Sequence, residues 1–250
     1  MNTVLLQELL RYNRILSIVR SSLINIGMAI KGEVVMSPEL ESIGHAIFDN
    51  RIPEAWMKRS FASLKPLASY IVDFIARLEF MQKWIDEGAP SSFWLSGFFF
   101  TQSFLTGLKQ NFAREKNLPI DEIEMDFRIF SEQNADLNKD VAPENGAYVY
   151  GLYLEGARWD AELDLLNESK PKQLFTQMPY IYLKPNKNSE IVFEHTYTCP
   201  LYKTLDRRGT LSTTGHSTNF VLMIQIPMQK RHEQTHWIKR GVALVTQLND

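Results

Sequence analysis

The spacing of apolar residues changes at Pro119, and this change constrains the fold more than any other feature of the chain. Before Pro119, apolar side chains recur every three or four residues, which is the period of an α-helix. After it, as in residues 123–129, they alternate with polar side chains, which is the period of a β-strand. Helices and strands that are segregated along the sequence in this way predict an α+β fold.

Residues 1–118 are predicted to form a helical subdomain, with its longest helix over residues 3–31. Apolar side chains recur there at alternating spacings of four and three residues and so share one face: Leu5, Leu9, Tyr12, Leu16, Val19, Leu23, Ile26 and Ile30. A coiled-coil dimer would use such a stripe, but further apolar residues beside it favour burial against several helices. The helix starts almost at the first residue, so we expect the chain to be a piece of something longer.

Local signals divide the rest of this half into shorter helices. A second helix is predicted to follow Ser37, a residue type that caps helix starts, and to reach about Phe48. Pro66 and Gly88 bracket another long helix. Residues 93–115 are predicted to begin as an aromatic segment and to continue as a helix. Their phenylalanines are predicted to pack in the core: Phe93, Phe98, Phe99, Phe100 and Phe104.

Residues 119–250 are predicted to form a β-barrel-like antiparallel subdomain, because their predicted strands are short, regularly spaced and separated by Gly and Pro turns. The strands are expected at residues 123–129, 147–159, 178–185, 190–200, 220–227 and 241–248. The acidic segment 160–169 is predicted to be a turn or a short helix. No Gly/Ser linker lies near residue 118, so we expect the two halves to pack together as one domain.

Charge is balanced overall but unevenly distributed along the sequence. The formal net charge of −2 predicts no general attraction to nucleic acids or anionic membranes. Residues 1–120 carry a net charge of +2, residues 121–168 of −10, and residues 169–250 of +6. Segments of opposite sign favour mutual pairing or a polar docking surface, although a solvated face explains any single charge.

The single cysteine, Cys199, excludes an internal disulfide and a cysteine metal cluster. Together with the lack of a signal peptide, it predicts a reducing, intracellular compartment. No apolar run is long enough to cross a bilayer, so we expect no membrane partner.

The segment from Cys199 to Pro227 holds the densest set of candidate phosphate-binding residues. Gly209 and Gly215 lie in it, but the Gly-Lys-Ser/Thr sequence of a phosphate loop is missing. The apolar run that follows has the composition of a strand, whereas a phosphate loop leads into a helix. We therefore interpret the segment as a turn that feeds a strand. Nucleotide binding by residues 207–219 remains the alternative hypothesis.

The histidines give no clear metal site. His232 and His236 are four residues apart, as in a helical pair of metal ligands, but no third ligand is evident. We interpret this segment as a solvated, charged loop. His45, on a helix flank, and His195, in a predicted strand, are expected to be ordinary structural residues.

Other arrangements could support catalysis but have simpler explanations. Cys199 and His216 could form a nucleophilic pair, although a buried structural thiol is the commoner case. Asp160, Glu162 and Asp164 could form a carboxylate site, although an exposed acidic face explains them equally well. We therefore predict no catalytic, cofactor-binding or metal-binding residue in this protein.

Basic and aromatic residues alternate in residues 197–208, which is a pattern that some RNA-binding surfaces show. The residues concerned are Tyr197, Tyr202, Lys203, Arg207 and Arg208. The predicted sheet lacks the sequence pattern of a known RNA-recognition motif. We therefore expect no nucleic-acid partner.

Long segments in a fixed order resemble a known family. They are QELLRYNRIL (7–16), IKGEVVMSPELE (30–41), IPEAWMKRSFASLKPL (52–67), FWLSGFFFTQSFLTGLKQNFARE (93–115), YGLYLEGARWD (150–160), CPLYKT (199–204), RGTLSTTGHSTNFVLMIQIP (208–227) and HWIKRGVAL (236–244). On these segments the protein resembles the C-terminal domain of dynein heavy chains. Within that family it resembles the axonemal (ciliary) type, and there the single-headed inner-arm chains.

This resemblance implies a function that is structural and regulatory. It implies a parent microtubule motor of the cytoplasm and cytoskeleton, in the axoneme of a cilium or flagellum. ATP and Mg²⁺ would be bound and ATP hydrolysed in the parent's AAA+ ring, and not in this domain. The domain would lie on that ring, brace it and tune motility. Through the parent, the partners would be microtubules and other axonemal dynein subunits. No catalytic residue is carried over from the family.

Two further hypotheses remain open. The protein could be a stand-alone ciliary interaction module, or a nucleotide-binding module that uses residues 207–219. If residues 3–31 dock on an AAA+ ring, we expect the separated domain to expose apolar surface and to self-associate.

Overall fold

The computed structural model describes residues 1–131, 136–207 and 218–249, and it has the predicted α+β architecture. The α-helices of these ranges are α1 (Asn2–Ile30), α2 (Pro38–Phe48), α3 (Glu54–Met57), α4 (Leu67–Glu87), α5 (Thr101–Lys116) and α6 (Gln234–Lys239). All but α6 precede residue 118, so the predicted helical half is confirmed.

Most of the strands lie in the second half of the sequence, and the first of them precedes α5. They are β1 (Ser92–Trp94), β2 (Ile123–Ile129), β3 (Ala147–Tyr150), β4 (Tyr153–Glu155), β5 (Ala157–Asp160), β6 (Leu165–Glu168), β7 (Phe175–Gln177), β8 (Ile181–Lys187), β9 (Thr196–Tyr202), β10 (Phe220–Pro227) and β11 (Ala243–Val245). One sheet has the order β1-β3-β8-β2 and a second has the order β10-β9-β11-β4-β7. The strands β5 and β6 pair with each other.

The fold class is as predicted, but the sheets are mixed and not antiparallel throughout. β1 pairs with β3 in parallel, and β11 pairs with β9 in parallel. Both parallel pairs join strands that are far apart in sequence, because parallel neighbours need a long crossover. Within the described residues the two larger sheets share no hydrogen-bonded strand pair, so the half is barrel-like only loosely and is not a closed barrel.

Several local assignments also differ from the prediction. The acidic segment 160–169 is not a short helix, because it contains the turn and second strand of the β5–β6 hairpin. Residues 191–195 lie outside any strand, and the strand predicted at 190–200 begins only at Thr196. The segment after Pro227 contains α6, which the sequence analysis treated as loop. Alternation alone also missed β7, which is three residues long.

Capping residues fix the helix ends that the sequence predicts. The Ser37 hydroxyl accepts a hydrogen bond from the Leu40 amide at 3.3 Å, and Pro38 occupies the first helical position. At the end of α4, Gly88 has a φ angle of +89°, a conformation that favours glycine. The helix boundaries at these two points are therefore set by local chemistry.

Replacing Ser37 with alanine is expected to lower the free energy of unfolding by about 1 kcal/mol, because the Leu40 amide loses its acceptor. Urea unfolding followed by circular dichroism measures this change. Ser21→Ala is a suitable control, because the Ser21 hydroxyl is exposed and donates to a carbonyl within α1. A Ser37→Ala variant as stable as the wild type would show that the cap contributes nothing.

Aromatic side chains form the centre of the helical half, as predicted. Phe93, Phe98 and Phe104 are buried, and the Phe98 and Phe104 rings stack with centroids 4.4 Å apart. Phe99 is half-buried and meets Tyr12 edge to face at 5.5 Å. Phe100 is the exception, with 41% of its surface exposed. It immediately precedes the first residue of α5, and the Arg11 guanidinium lies 5.0 Å from the centroid of its ring.

The two halves are joined by hydrogen bonds across residue 118. Ser96 donates to the carbonyl of Gly151 at 3.1 Å and lies against the carbonyl of Thr246 as well. The Gln247 side chain donates to the carbonyl of Ala62. Buried residues of both halves also belong to one continuous apolar core. The boundary at residue 118 remains a prediction, but the expected packing of the halves is observed.

Candidate docking surface

The helix α1 buries a row of side chains that differs from the predicted one. Val4, Glu8, Tyr12, Ile15 and Ser22 are buried, and their spacing places them on one face of the helix. The apolar spacing of residues 3–31 predicted a buried stripe that lies to one side of this row. A purely apolar pattern could not locate the true face, because two of its members are polar.

The carboxylate of Glu8 is fully buried and joins α1 to the start of α5. It accepts hydrogen bonds from the backbone amides of Phe99 and Phe100, the latter at 3.1 Å, and from Arg11 at 3.0 Å. Burial raises the pKa of Glu8, and the two amides and Arg11 only partly offset this effect. Glu8 therefore supplies the anionic cap that α5 lacks in its own sequence.

Two further polar contacts hold α1 against the domain. The Tyr12 hydroxyl donates to the carbonyl of Gly97 at 2.7 Å. The Trp56 indole donates to the Ser22 hydroxyl at 2.9 Å, which fixes α3 against the middle of α1. These bonds satisfy the buried polar groups of the helix and orient its remaining faces.

The predicted heptad stripe is only partly covered. Leu9, Leu16, Leu23 and Ile30 recur every seven residues and so lie along one line of α1. Leu9 is half-buried against the core, whereas the exposed fractions of the other three are 37%, 47% and 74% in sequence order. We call Leu16, Leu23 and Ile30 the exposed row. The prediction that this stripe is buried is therefore wrong for the C-terminal half of the helix within this domain.

More exposed apolar residues follow at the same end of α1. The helix α2 packs against α1, and the segment between them includes Val35, which is largely exposed. At the end of α2, Phe48 has 91% of its surface exposed. A concentration of exposed apolar side chains indicates a surface that is covered by a partner.

Among the described residues, the candidate chemical groups of the β half are not gathered into one site. Cys199 is completely buried in β9, and burial raises the pKa of its thiol, so the thiol stays protonated and unreactive. This confirms the interpretation as a structural thiol. Its suggested partner His216, together with Arg208, Gly209 and Gly215, lies outside the described residues.

We expect the Cys199 thiol of the native domain to resist Ellman's reagent on the time scale of minutes, because the sulfur has no contact with solvent. Full reaction is expected only in denaturant, where one thiol per molecule should be titrated. Absorbance at 412 nm measures both states. Rapid reaction of the native domain would contradict the burial of Cys199 in the sheet.

The two histidines after β10 interact with each other. Residues 232–236 have the His-Glu-x-x-His order of zinc-binding helices, but α6 begins only at Gln234. The imidazoles of His232 and His236 stack with centroids 4.0 Å apart, and His236 Nε2 lies 2.7 Å from a Glu168 oxygen. Burial and the charges of His236 and Arg231 lower the pKa of His232. The prediction of a solvated loop is therefore wrong at His236.

Two of the other histidines, His45 and His195, lie on the surface. His45 is exposed on α2, as predicted for a helix flank. His195 is exposed with a φ angle of +51° and precedes β9. Its predicted place inside a strand is therefore wrong, because its left-handed backbone conformation does not fit a strand.

The three alternating carboxylates do not converge on one point. Asp160 is buried. Its carboxylate is ion-paired with Arg158 at 2.6 Å and accepts a hydrogen bond from the Asn167 side-chain amide at 2.9 Å. Glu162 is exposed. Asp164 has a φ angle of +52° at the turn of the β5–β6 hairpin. The exposed acidic face is thus confirmed only for Glu162, and Asp160 instead fixes the hairpin.

Three of the basic and aromatic residues of segment 197–208 form hydrogen bonds or ion pairs within the domain. The Tyr197 hydroxyl is buried and donates to the carbonyl of Val242 at 2.8 Å. Lys203 donates to the carbonyl of Thr218 at 3.1 Å, and Arg207 pairs with Glu155. These contacts give Tyr197, Lys203 and Arg207 structural roles within the domain, and the absence of a nucleic-acid partner stays a prediction.

Neither a membrane span nor a metal centre is found in the part of the protein that the structure describes. No helix there combines the length and apolar character that a bilayer span requires. No group of three or more His, Cys, Asp or Glu side chains in the described ranges is placed to hold a metal ion.

The apolar pattern of the sequence did not identify two buried charged residues that link the elements of the domain. Glu8 stands four residues after Val4 and four before Tyr12, so its helical position marks it as a buried carboxylate. The same signal was available for Arg77, which lies three residues after Phe74 and four before Met81, is buried in α4 and is ion-paired with Asp73. Arg77 also donates a hydrogen bond to the Ser96 carbonyl, and this contact depends on the tertiary fold.

The fold and its surface define a class of protein: an α+β domain whose long first helix leaves half of an apolar stripe exposed. Residues 1–246 match the family described as the C-terminal domain of the dynein heavy chain. The protein belongs to this family, as the sequence resemblance predicted.

Relatives in this family are axonemal dynein heavy chains. Along its whole length, the protein is 51% identical to dynein axonemal heavy chain 3 of Homo sapiens and covers 6% of that relative. It is 52% identical to dynein axonemal heavy chain 12 of Homo sapiens, of which it covers 8%. It is 50% identical to dynein axonemal heavy chain 1 of Mus musculus, of which it covers 6%. The 250 residues thus span less than a tenth of these relatives.

Proposed function

We propose that this domain packs on the AAA+ motor ring of an axonemal dynein heavy chain, and that it stabilises the ring and regulates its motility. The observation that carries the proposal is the exposed row of α1, formed by Leu16, Leu23 and Ile30. Each of these side chains would remove apolar surface from water when a partner covers it. The family, and the short share of each relative that the 250 residues span, make the rest of a heavy chain the natural partner.

The cellular role follows from the same proposal. The domain would act in the cytoskeleton of a cilium or flagellum, within the axoneme, as part of a microtubule motor. Microtubules and other axonemal dynein subunits would be partners of the parent protein. We propose that the parent is an inner-arm chain, on the resemblance of residues 211–220 and 151–160. ATP and Mg²⁺ would be used in the ring and not in this domain.

The test is the activity of a complete motor that carries a changed docking row. Replacing Leu16, Leu23 and Ile30 together with glutamate is expected to reduce the stability of the ring and to change microtubule gliding velocity, because three charges would face an apolar partner. The matched control replaces exposed apolar residues elsewhere with glutamate: Val72, Leu163 and Ile238. Equal motility and equal thermal stability of both triple variants would contradict the proposal.

Nucleotide binding by residues 207–219 is tested separately on the 250-residue protein. We expect no ATP hydrolysis and no saturable ATP binding. Saturable binding that is lost in Arg208→Ala and His216→Ala variants would instead support the nucleotide-binding alternative. Clear hydrolysis by the pure protein would contradict a non-catalytic role.

A further inference from the structure

Two stacked histidines lie where the helix α6 meets the β5–β6 hairpin. The imidazoles of His232 and His236, which we call the histidine stack, have an interplanar angle of 12° and centroids 4.0 Å apart. His236 Nε2 lies 2.7 Å from a carboxylate oxygen of Glu168, the last residue of β6. Arg240, directly after α6, donates to the second oxygen of the same carboxylate at 3.0 Å. The histidine stack is therefore part of the contact that attaches α6 to the hairpin.

Hydrogen bonds define which nitrogen of His236 carries the proton. Arg240 Nη1 lies 3.3 Å from His236 Nδ1, and a guanidinium can only donate, so Nδ1 accepts. The Nε2 atom then carries the proton and donates to Glu168. A second proton, on Nδ1, would remove the acceptor of the first bond and would face the Arg240 guanidinium. The contacts of docked α6 therefore match the neutral form of His236.

The surroundings of His232 also disfavour a positive charge. Arg231 precedes it in the chain, and His236 and Arg240 act on it from the side of α6, whereas Glu168 of β6 offsets these charges only partly. Burial, followed by the charges of His236 and Arg231, lowers the pKa of His232 below its ordinary value of 6.5. Its Nδ1 atom is buried, and no hydrogen-bond partner of this atom is found among the described residues. A proton on His232 would therefore lie among cations and against a second imidazole.

The contacts of α6 with β9 involve groups that stay neutral near neutral pH. The Gln234 side chain accepts from the Thr198 amide at 3.0 Å and donates to the Thr196 carbonyl. Trp237 is completely buried, and its ring centroid lies 6.5 Å from that of Tyr197. Burial raises the pKa of Tyr197, so its hydroxyl stays protonated. The histidine stack is therefore the part of these contacts that responds to protons near neutral pH.

We infer that the histidine stack is a proton-sensitive switch, which keeps α6 on the β5–β6 hairpin while both imidazoles are neutral and releases α6 when both are protonated. Two cations with centroids 4.0 Å apart repel each other, and release of α6 lets the rings separate. Because the docked state lowers the pKa of His232, this residue binds a proton more tightly after release. Docking is therefore fully favoured above pH 6.5 and weakens as the pH falls below this value. The switch lies within the domain and does not depend on docking to a motor ring.

Hydrogen exchange of the 250-residue protein, detected by mass spectrometry, tests the switch. The amides of Arg240, Gly241 and Val242 donate to the carbonyls of Trp237 and Ile238, so they report on α6. With labelling times scaled to the intrinsic rates, residues 236–242 are expected to exchange about threefold faster or more at about pH 5.5 than at about pH 7.5. The segment 67–87 is the internal reference and should keep its protection. Equal protection of α6 at both pH values, or loss of protection in both segments together, would overturn the inference.

Variants that cannot be protonated identify the two rings as the cause. His232→Phe keeps an aromatic ring in the stack, and His236→Gln keeps a side-chain donor for Glu168. At most one ring can be charged in either variant, so the faster exchange of α6 at about pH 5.5 is expected to disappear. The controls His45→Gln and His195→Asn replace exposed histidines and should respond as the wild type does. A response that survives in either stack variant would contradict the switch.

Titration of the histidine rings gives a second measurement, which needs no variant. The imidazole carbon resonances of His232 and His236 are followed by NMR between about pH 5 and about pH 8. The exchange of α6 is expected to change in the interval in which these two rings titrate. A change of α6 at a pH where neither ring titrates would overturn the inference, as would protonation of both rings while α6 stays protected.

Discussion

Replacing Arg77 with methionine is expected to lower the free energy of unfolding by about 3–5 kcal/mol, because the change leaves a nearly buried carboxylate without its counter-charge. Arg77 has 2% of its side chain exposed, and its Nε donates to Asp73 at 2.8 Å. Its guanidinium also lies 3.9 Å from the centroid of the Phe61 ring and donates to the Ser96 carbonyl. Methionine fills a similar volume, so the loss is electrostatic.

The Arg77→Met substitution is expected to affect the β half of the domain as well. Ser96, whose carbonyl Arg77 holds, donates its own hydroxyl to the carbonyl of Gly151. We therefore expect the Arg77→Met variant to loosen the contact between the halves. Chemical unfolding measures the loss of stability, and hydrogen exchange of residues 147–155 measures the local loosening.

The control for Arg77→Met is Lys58→Met. The Lys58–Glu54 pair has a similar separation of 2.8 Å, but both side chains are highly exposed. Its removal is expected to cost less than about 1 kcal/mol. The double variant Arg77→Met with Asp73→Leu should recover part of the stability, because no unpaired charge remains. A loss below about 1 kcal/mol in Arg77→Met alone would contradict the account.

Replacing Glu8 with alanine is expected to cost about 3 kcal/mol, because two backbone amides and one guanidinium lose a buried acceptor at once. These amides, of Phe99 and Phe100, lie at the start of α5. Circular dichroism during chemical unfolding measures the change. Glu79→Ala, on the outer part of α4, is the control and should change stability by less than about 0.5 kcal/mol.

The buried Glu8 also predicts a dependence of stability on pH. Burial raises its pKa above the value of 4.5 that it has in the unfolded state. The folded state therefore binds the proton more tightly, and this contribution to stability is fully present below pH 4.5. It is lost as the pH rises through the folded pKa. The Glu8→Gln variant lacks the ionisable carboxyl group. The difference in the free energy of unfolding between wild type and variant should therefore change between pH 4.5 and the folded pKa of Glu8.

The opposite pH trend would contradict the assignment of Glu8. If the wild type gained stability relative to Glu8→Gln as the pH rose above 4.5, the folded carboxylate would be stabilised in its ionised form. Measurements of the free energy of unfolding between about pH 4 and pH 7 distinguish the two signs.

Local sequence signals predicted the elements whose causes are local. The start of α2 is set by the Ser37 hydroxyl, and the end of α4 by Gly88, so both were found from a few residues. The strands β2 and β10 were found from their apolar composition and alternation. The order of the family segments was sufficient to predict the family.

Features that depend on distant partners were not predicted. The buried face of α1 includes Glu8 and Ser22, whose hydrogen-bond donors come from the start of α5 and from α3. A prediction from the spacing of apolar residues leaves out both Glu8 and Ser22. It therefore selected a neighbouring stripe of α1. The parallel pairing of β1 with β3 joins the helical half to the other sheet strands, and only the assembled fold determines it.

The error on α1 is also the most informative result for function. The predicted stripe has the regular spacing of a buried surface, yet within this domain its C-terminal half is uncovered. The proposed function places the partner of this exposed half outside the 250 residues.

Binding in trans tests this claim most directly. The 250-residue protein is mixed with a purified axonemal dynein motor ring from which the C-terminal domain has been removed, and the dissociation constant is measured by biolayer interferometry. The account predicts saturable binding that weakens by about tenfold or more when Leu16, Leu23 and Ile30 are replaced with glutamate, while the Val72, Leu163 and Ile238 control triple binds as the wild type does. Equal binding of the two triple variants, or no binding of the wild type, would contradict it.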